Sequence, residues 1–440
     1  MKNLVLAILF LGLTGLAAGC GQGQNTSNAP EQEPATDPAP NQGLEYRNVR
    51  LKSAVTDVQP MTGIVFWTDN GAYVDSDAIS LEYSYMAYND IATSEGVYDW
   101  SPIDRLLDQV AARGHQAILR FFYVFPGCPT TVPDHIKALE GYSETSGIGD
   151  GIDHTWYPDW SHPALMTFTL DFFTEFARRY DDDPRLAFLE VGFGLWAEYH
   201  IYDGPMEPGV TFPSKEFQTA FLQHLSRQFR TLHWSVSIDA ADDQTTPLAA
   251  DPDLKALGFG LFDDSFMHAE HDDYNRSCFE FFGPDRYERA PMGGELSYYT
   301  DHDQQYALAP AGPYGIPFET FSADYHITFM IGNDQPAYQS MDRVREAGLA
   351  TGYRFAITAF TSSSTDTRVT VLNSGVAPIY YDAYVSVNGV RADTSLKGLL
   401  PGSRREFIIR PGSAAGDDLQ LRIECDRLVQ GQQIQYDADL

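Results

Sequence analysis

Cysteine is scarce in this chain, with four residues among 440, at positions 20, 128, 278 and 425. Their spacing matches no zinc pattern. Cys20 belongs to the N-terminal leader described below, so an odd three remain, enough for one bridge at most. Cys128 with Cys278, between two loops, is the pair an oxidising compartment could join. Basic residues are few as well: 29 Lys and Arg face 61 Asp and Glu, a formal net charge of -32. That balance argues against nucleic acid or an anionic membrane face as partner, since both would be repelled. No apolar run after residue 16 is long enough to span a bilayer, no Gly-rich phosphate loop follows a strand-like run, and no Ser-His-Asp set can be singled out.

The leader itself is informative. Lys2, the apolar run from Leu4 to Leu16 and Ala17-Ala18-Gly19 before Cys20 read as a bacterial secretion signal over 1–19. Small residues before a cysteine resemble the lipobox of bacterial lipoproteins, although Ala17 stands where that pattern more often has Leu. The resemblance implies acyl chains on Cys20 that hold an exported protein to the cell envelope, at the outer membrane in a Gram-negative cell. Residues 20–43 then form a lipidated cysteine and flexible linker, because 21–43 is Gln, Asn, Pro, Glu and Ala with too little apolar surface to offset ordering entropy.

From about residue 60 to 350, short apolar runs alternate with amphipathic ones. The strand-like runs are 63–67, 79–87, 116–124, 186–192, 234–238, 257–262, 291–296 and 327–331, short and bounded by turn residues as strands buried on both faces are. Helical stripes include Ile103, Leu106, Leu107 and Val110 before Gly114, a stretch from Ser161 to Asp181, another over 214–229 and a last over 337–349. Eight strand-then-helix units predict a parallel (β/α)8 barrel over 44–352, the catalytic domain. Its first crossover, 69–78, leaves little room for a helix. After Gly352 the pattern becomes short strands separated by Asn373-Ser374-Gly375, Asn388-Gly389, Pro401-Gly402 and Pro411-Gly412, which predicts a small antiparallel β-sandwich over 353–440.

In a parallel barrel the loops at the carboxyl ends of the strands carry the site. The residues there are acids, amides and aromatics, a mixture suited to hydroxyl groups and to the apolar C–H faces of sugar rings. Two phrases stand out, Gly194-Leu195-Trp196-Ala197-Glu198-Tyr199-His200 after the fourth run and Pro291-Met292-Gly293-Gly294-Glu295-Leu296 at the seventh. Each ends an apolar run in a carboxylate that a core would not bury unpaired, and two carboxyl groups flanking one bond are what glycoside hydrolysis needs. Glu198 and Glu295 are therefore the candidate catalytic pair. Trp67, Tyr123, Trp156, Trp196 and Tyr298 are candidate sugar platforms or core aromatics, and His200 and Asp263 candidate hydrogen-bonding groups. Arg120 closes a buried strand, either as a charge-assisted partner that keeps Glu295 ionised or as a structural salt bridge. Glu190 stands earlier on the fourth run and is expected to point into the barrel or its helical shell. The segment 126–162, too long for an ordinary βα loop, is expected to bind substrate over the barrel mouth or to act as a stabilising flap. The cluster His268, Glu270, His271, Asp272 and Asp273 fits no metal spacing and reads as a hydrated loop, so neither metal nor cofactor is called for.

The run Glu95-Gly96-Val97-Tyr98-Asp99-Trp100, with Ile103-Asp104 and Gly114-His115-Gln116-Ala117-Ile118-Leu119, resembles the second-to-third strand passage of clan-A glycoside hydrolases such as bacterial β-galactosidases. The resemblance implies an acid/base glutamate after strand four and a nucleophilic one after strand seven, the places of Glu198 and Glu295. That clan usually has Asn before its acid/base, where Ala197 stands here. Residues 188–200, Gly293-Gly294-Glu295 and Gly352-Tyr353-Arg354-Phe355 are similar to a family of uncharacterised bacterial barrel lipoproteins with a C-terminal sandwich. Together these imply a retaining glycosidase acting on an oligo- or polysaccharide, a β-galactoside by resemblance. A sulfated or uronate-rich glycan would need a basic patch, for which Arg120, Lys137, Arg276, Arg286 and Arg289 are available. The alternatives are a non-catalytic glycan-binding surface lipoprotein and a polysaccharide lyase.

Overall fold

All eight apolar runs form strands, because segments rich in aliphatic and aromatic residues can be buried on both faces only inside a layered α/β structure. In the computed structural model, which describes residues 45–410 and 418–440, these are β1 (Gly63–Trp67), β2 (Leu81–Ala87), β3 (Gln116–Phe122), β4 (Leu186–Val191), β5 (His233–Ser237), β6 (Gly260–Phe266), β7 (Met292–Leu296) and β8 (Phe329–Ile331). Each pairs in parallel with its neighbour in sequence, and β8 pairs back onto β1, which closes an eight-stranded barrel. The expected signal segment, Cys20, the linker and the turn at Pro411-Gly412 lie outside the described residues. Among those described, no helix is long and apolar enough to cross a membrane.

The shell follows the amphipathic stripes. α1 (Ser101–Ala112) buries Ile103, Leu107 and Val110, and α2 (Pro163–Tyr180) buries Phe168, Phe172, Phe173 and Phe176. α3 (Lys215–Gln228) starts where the Ser214 hydroxyl accepts the Phe217 N–H. α4 (Asp272–Phe282) follows β6, and α5 (Met341–Leu349) begins four residues later than its stripe, since Gln335–Ala337 makes a 3-10 turn and Ser340 caps the helix. The first crossover is only a 3-10 turn, Gly71–Asp75, as its length required. The long segment 126–162 holds a short helix, Asp134–Lys137, and a hairpin of Thr145–Gly149 with Ile152–Tyr157.

The C-terminal strands are β9 (Phe355–Ser362), β10 (Thr367–Asn373), β11 (Ala383–Val387), β12 (Arg404–Ile409), β13 (Leu421–Cys425) and β14 (Tyr436–Asp439). One sheet runs β12-β10-β9-β14 and the other joins β11 to β13. The expected antiparallel pattern has one exception, the parallel pair of β9 with β14. Residues ahead of the barrel also enter this sheet: Arg47–Asn48 pairs with β9 and Lys52–Ser53 with β14. Residues 44–440 form one compact unit. The pair Cys128 and Cys278, which an oxidising compartment could have joined, is not bridged, and all three described cysteines are free.

The barrel and the sheets share a core at the amino ends of the barrel strands. Val65, Tyr83, Ile118, Phe188 and Phe329 belong to the same cluster as Phe355, Val369, Val385 and Ile423. Phe188 and Phe329 stack at 5.3 Å, and Tyr381 stacks beneath Phe188 at 6.2 Å while donating its hydroxyl to the Ala187 carbonyl. Arg427 donates to the Leu186 carbonyl at 2.8 Å with its guanidinium 4.7 Å from the Tyr381 ring. The sheets thus plug one end of the barrel, and the other end is left open. Truncating this plug by Tyr381→Ala should cost ~3–5 kcal/mol, the range for a large buried aromatic, whereas Tyr381→Phe should cost ~1 kcal/mol for one hydrogen bond. Urea denaturation midpoints check both.

Candidate active site

The floor of the open end is a buried ion cluster. Arg120 on β3, Tyr85 on β2 and Glu190 on β4 occupy one level because the strand register pairs Arg120 with both. Arg120 Nε donates to Glu190 at 2.7 Å, and its Nη1 donates to Asp264 at 2.7 Å and to the Tyr85 hydroxyl and Trp196 carbonyl at 3.3 Å. The guanidinium lies 4.0 Å over the Phe262 ring. Arg120 is therefore the structural salt bridge of its two readings: its hydrogen bonds go to Glu190 and Asp264, not to Glu295, and it lies under the cavity rather than in its wall. Its charge still acts on Glu295 through space. Glu190 points into the barrel, fully buried.

Above this floor the loop after β4 is tightly wound. Trp196 and Ala197 take left-handed backbone angles, φ 52° and 62°, which cost ~1–2 kcal/mol each for residues with a Cβ. Six backbone bonds hold them, among them Gly194 N–H to the Glu198 carbonyl at 2.8 Å and Trp196 N–H to the Val124 carbonyl at 3.1 Å. A Cβ at Gly192 would collide with the Ala197 carbonyl, and one at Gly194 with that of His200. The two glycines therefore let the loop fold back and present Glu198. Its Oε2 lies 2.8 Å from His200 Nε2, which is 3.7 Å from Asp239 Oδ2. Tyr202 stacks on the imidazole at 3.6 Å. Burial pushes the Glu198 carboxyl up to about 7 against the lowering effect of His200. Burial pulls the imidazole down, but Glu198 and Asp239 outweigh it and hold His200 above its ordinary value.

Glu295 sits on β7 after Gly293 and Gly294. A Cβ on Gly293 would enter the Phe329 ring of β8, and one on Gly294 (φ 149°) would strike the Asp263 backbone, so Gly293 leaves room for that ring and Gly294 lets β7 lie close against β6. Glu295 Oε1 is fully buried without a hydrogen-bond partner. Burial raises this carboxyl well above its usual range, and the charges of Asp264 and Glu198 add to the rise while Arg120 opposes it. Asp263 accepts from the Ser265 N–H at 2.9 Å and from Asn275 at 2.8 Å, and burial lifts it to about 8.

Both glutamates open on a cavity of about 1000 Å³ whose wall includes Trp67, Trp196, His200, Asp263 and Tyr298. Tyr123 and Trp156 are corrections. Tyr123 faces the shell, stacked at 4.1 Å on Tyr88 and hydrogen-bonded to Thr169, because side chains alternate in direction along an extended strand end. Trp156 stands exposed on the second strand of the 145–157 hairpin and is not among the residues that line the cavity. From that long segment it is Asp150, at the hairpin turn, that reaches the cavity. None of Lys137, Arg276, Arg286 or Arg289 lines it. Tyr202, Tyr274, Tyr299 and Asp334 also line it and were not singled out from the sequence. Tyr299 follows Tyr298 directly and Tyr202 repeats the alternation of His200, signals that were available. Tyr274 donates to Asp239 at 2.9 Å from α4, a contact between distant segments with no sequence mark. In the 268–273 cluster His268 is buried rather than hydrated, bonded to Asp303 at 2.7 Å and stacked on Tyr299 at 4.9 Å. Glu198, His200 and Asp239 offer three ligand atoms within 4.8 Å of one another. Two of the three, Glu198 and His200, already share a hydrogen bond.

No protein-family model matches the chain, and no curated protein does either. Among solved structures it is similar to endo-glycoceramidase II from Rhodococcus sp., at 11% identity over 82% of this chain and 98% of that one, TM-score 0.42. It is similar also to a maltogenic α-amylase from Thermotoga neapolitana, at 9% over 80% and 92%, TM-score 0.35. An α-galactosidase from Geobacillus stearothermophilus follows at 10% over 82% and 55%, TM-score 0.37. Likeness of this degree decides nothing about activity, and the barrel rests on its own strand order.

Two measurements probe the site's electrostatics. Arg120→Met would leave Glu190 and Asp264 buried and unpaired, and should cost ~3–5 kcal/mol in chemical denaturation. Asp263 holds a proton in the folded chain up to about 8, whereas the unfolded chain releases it near ~3.9. Its stabilising contribution is present at acid pH and is lost as pH rises through about 8. The melting temperature should therefore fall across this window, and Asp263→Asn should flatten the fall.

Proposed function

We propose that this chain is a retaining glycoside hydrolase in which Glu198 is the acid/base and Glu295 the nucleophile. The observation that carries the reading is that two glutamates from the carboxyl ends of β4 and β7 share one aromatic-walled cavity and feel each other's charge. Glu198, pushed up to about 7, keeps its proton near neutrality and delivers it to the leaving oxygen. His200, hydrogen-bonded to the same carboxyl, steadies its orientation. Glu295 attacks the anomeric carbon from the opposite face. Glu198, now ionised, activates the water that releases the sugar. Trp67, Trp196 and Tyr298 supply faces for sugar rings. Retention asks for carboxyl groups ~5–5.5 Å apart, against ~6.5–9.5 Å for inversion. The substrate is an oligo- or polysaccharide, a β-galactoside among the candidates. The protein is exported and acylated on Cys20, so Cys20→Ser should move it from the membrane fraction to the soluble one.

A second reading has its own observation. Asp264 lines the cavity and takes the Arg120 hydrogen bond that Glu295 does not, so it is the competing nucleophile. Trapping with a 2-deoxy-2-fluoro glycoside and mapping the labelled peptide separates the two. On a glycan panel, Glu198→Gln should lower turnover by ~10²–10⁴, the span of general acid catalysis, with binding retained. For the wild type, kcat/KM should fall as pH rises past about 7, where Glu198 loses its proton. A panel without turnover but with binding would leave a glycan-binding protein, and unsaturated products absorbing in the ultraviolet would indicate a lyase.

A further inference from the structure

Charge in the cavity is one-sided. Among the described residues no Lys or Arg lines it, while Asp150, Asp239, Asp263, Asp264 and Asp334 join the two glutamates. Arg120 beneath gives its hydrogen bonds to Glu190 and Asp264 and none to the other lining acids. Just beneath this surface four polar atoms of lining residues are buried without a hydrogen-bond partner, the carboxylate oxygens Glu295 Oε1 and Asp264 Oδ1 and the ring nitrogens Trp67 Nε1 and His200 Nδ1. The lining is rich in carboxylates, and its donors are hydroxyl, indole, imidazole and amide groups rather than Lys or Arg. Sugar hydroxyls would satisfy some acceptors but bring no positive charge to the acids that stay ionised, and sugar carboxylates or sulfates would add negative charge. An ammonium group brings three donors, no acceptor and a positive charge.

We propose that the cavity takes a glycan bearing free amino groups, a stretch of de-N-acetylated hexosamine units. The inference rests on the glycosidase reading above and names its substrate class. Asp239 follows β5 and Asp334 follows β8, so carboxylates stand on both sides of Glu295 around the barrel mouth. Amino groups on sugars either side of the scissile bond would each meet one. Trp67, Trp196 and Tyr298 lie in the same wall, where aromatic faces favour both C–H stacking and a nearby cation. The crowding is visible in the acids themselves: Glu198, Asp263 and Glu295 are all raised, chiefly by burial and further by neighbouring carboxylates. A bound ammonium would reverse that rise and favour ionised Glu295, the state in which it attacks.

The test uses the full chain in detergent, with calorimetric titration at low ionic strength. Hexamers of glucosamine and of galactosamine are compared with their N-acetylated and 2-hydroxyl counterparts. One amino hexamer should bind at 1:1 and about ten times more tightly than its neutral counterparts, a difference of ~1.4 kcal/mol, and lose the advantage in high salt. Asp239→Asn and Asp334→Asn should each shrink that ratio. Equal affinity for neutral hexamers, no binding of either amino hexamer, or equal displacement by hexalysine would overturn the proposal, the last by assigning the binding to surface charge. So would stoichiometric Ca2+ or Zn2+ binding, lost in Glu198→Gln, that amino hexamers fail to displace. Product analysis of the same mixtures separates the two readings. Cleavage of neutral oligomers without amino preference removes this proposal and leaves the hydrolase. Selective 1:1 binding of an amino hexamer with nothing cleaved removes the hydrolase and leaves the ligand class.

Discussion

One buried guanidinium organises the open end of this barrel. Arg120 is enclosed by strands, and its desolvation is offset by two carboxylates, Glu190 and Asp264, and by the face of Phe262. Its Nη1 also holds the Trp196 carbonyl, at the start of the left-handed turn that presents Glu198. The same cation lowers Glu295 through space and Glu190 by direct contact, while burial raises both. A single positive charge therefore couples the geometry of the fourth-strand loop to the proton content of the acids above it.

Opposite this polar layer the barrel is closed by packing. Phe188 and Phe329 fill the interior and Tyr381 covers them. The division is sharp because the dry end excludes water from below, and only the mouth needs donors and acceptors. The glycines do comparable work at the mouth: Gly192, Gly194, Gly293 and Gly294 each stand where a Cβ would strike a neighbouring backbone or ring. Close backbone approach there leaves room above for a cavity lined by long polar and aromatic side chains.

Much of this was legible in the sequence. The eight runs were continuous and short, so strand number, order and the carboxyl-end placement of Glu198 and Glu295 followed from periodicity and from barrel geometry. What escaped was decided by relations between segments. The partners of Arg120 depend on register across three strands, and Glu190 shares its level where Glu295 does not bond to it. Tyr123 and the lining residues differ only in which way an extended end alternates. The two-residue strands at 47–48 and 52–53 carry no periodic signal, since they exist only through β9 and β14.

That last pairing has a mechanical side. Lys52–Ser53 runs antiparallel to the final strand, and Leu51 and Leu440 exchange backbone hydrogen bonds at 2.9 and 3.3 Å. The beginning and the end of the described chain are thus stitched together within the sheet that plugs the barrel. A pull along the chain from the N-terminal side would load this short ladder and the Tyr46 and Val49 contacts with Asp366 and Phe360 before reaching β1. The sheets would act as a strain relief, and the open mouth at the far end would keep its shape while the stitching takes the tension.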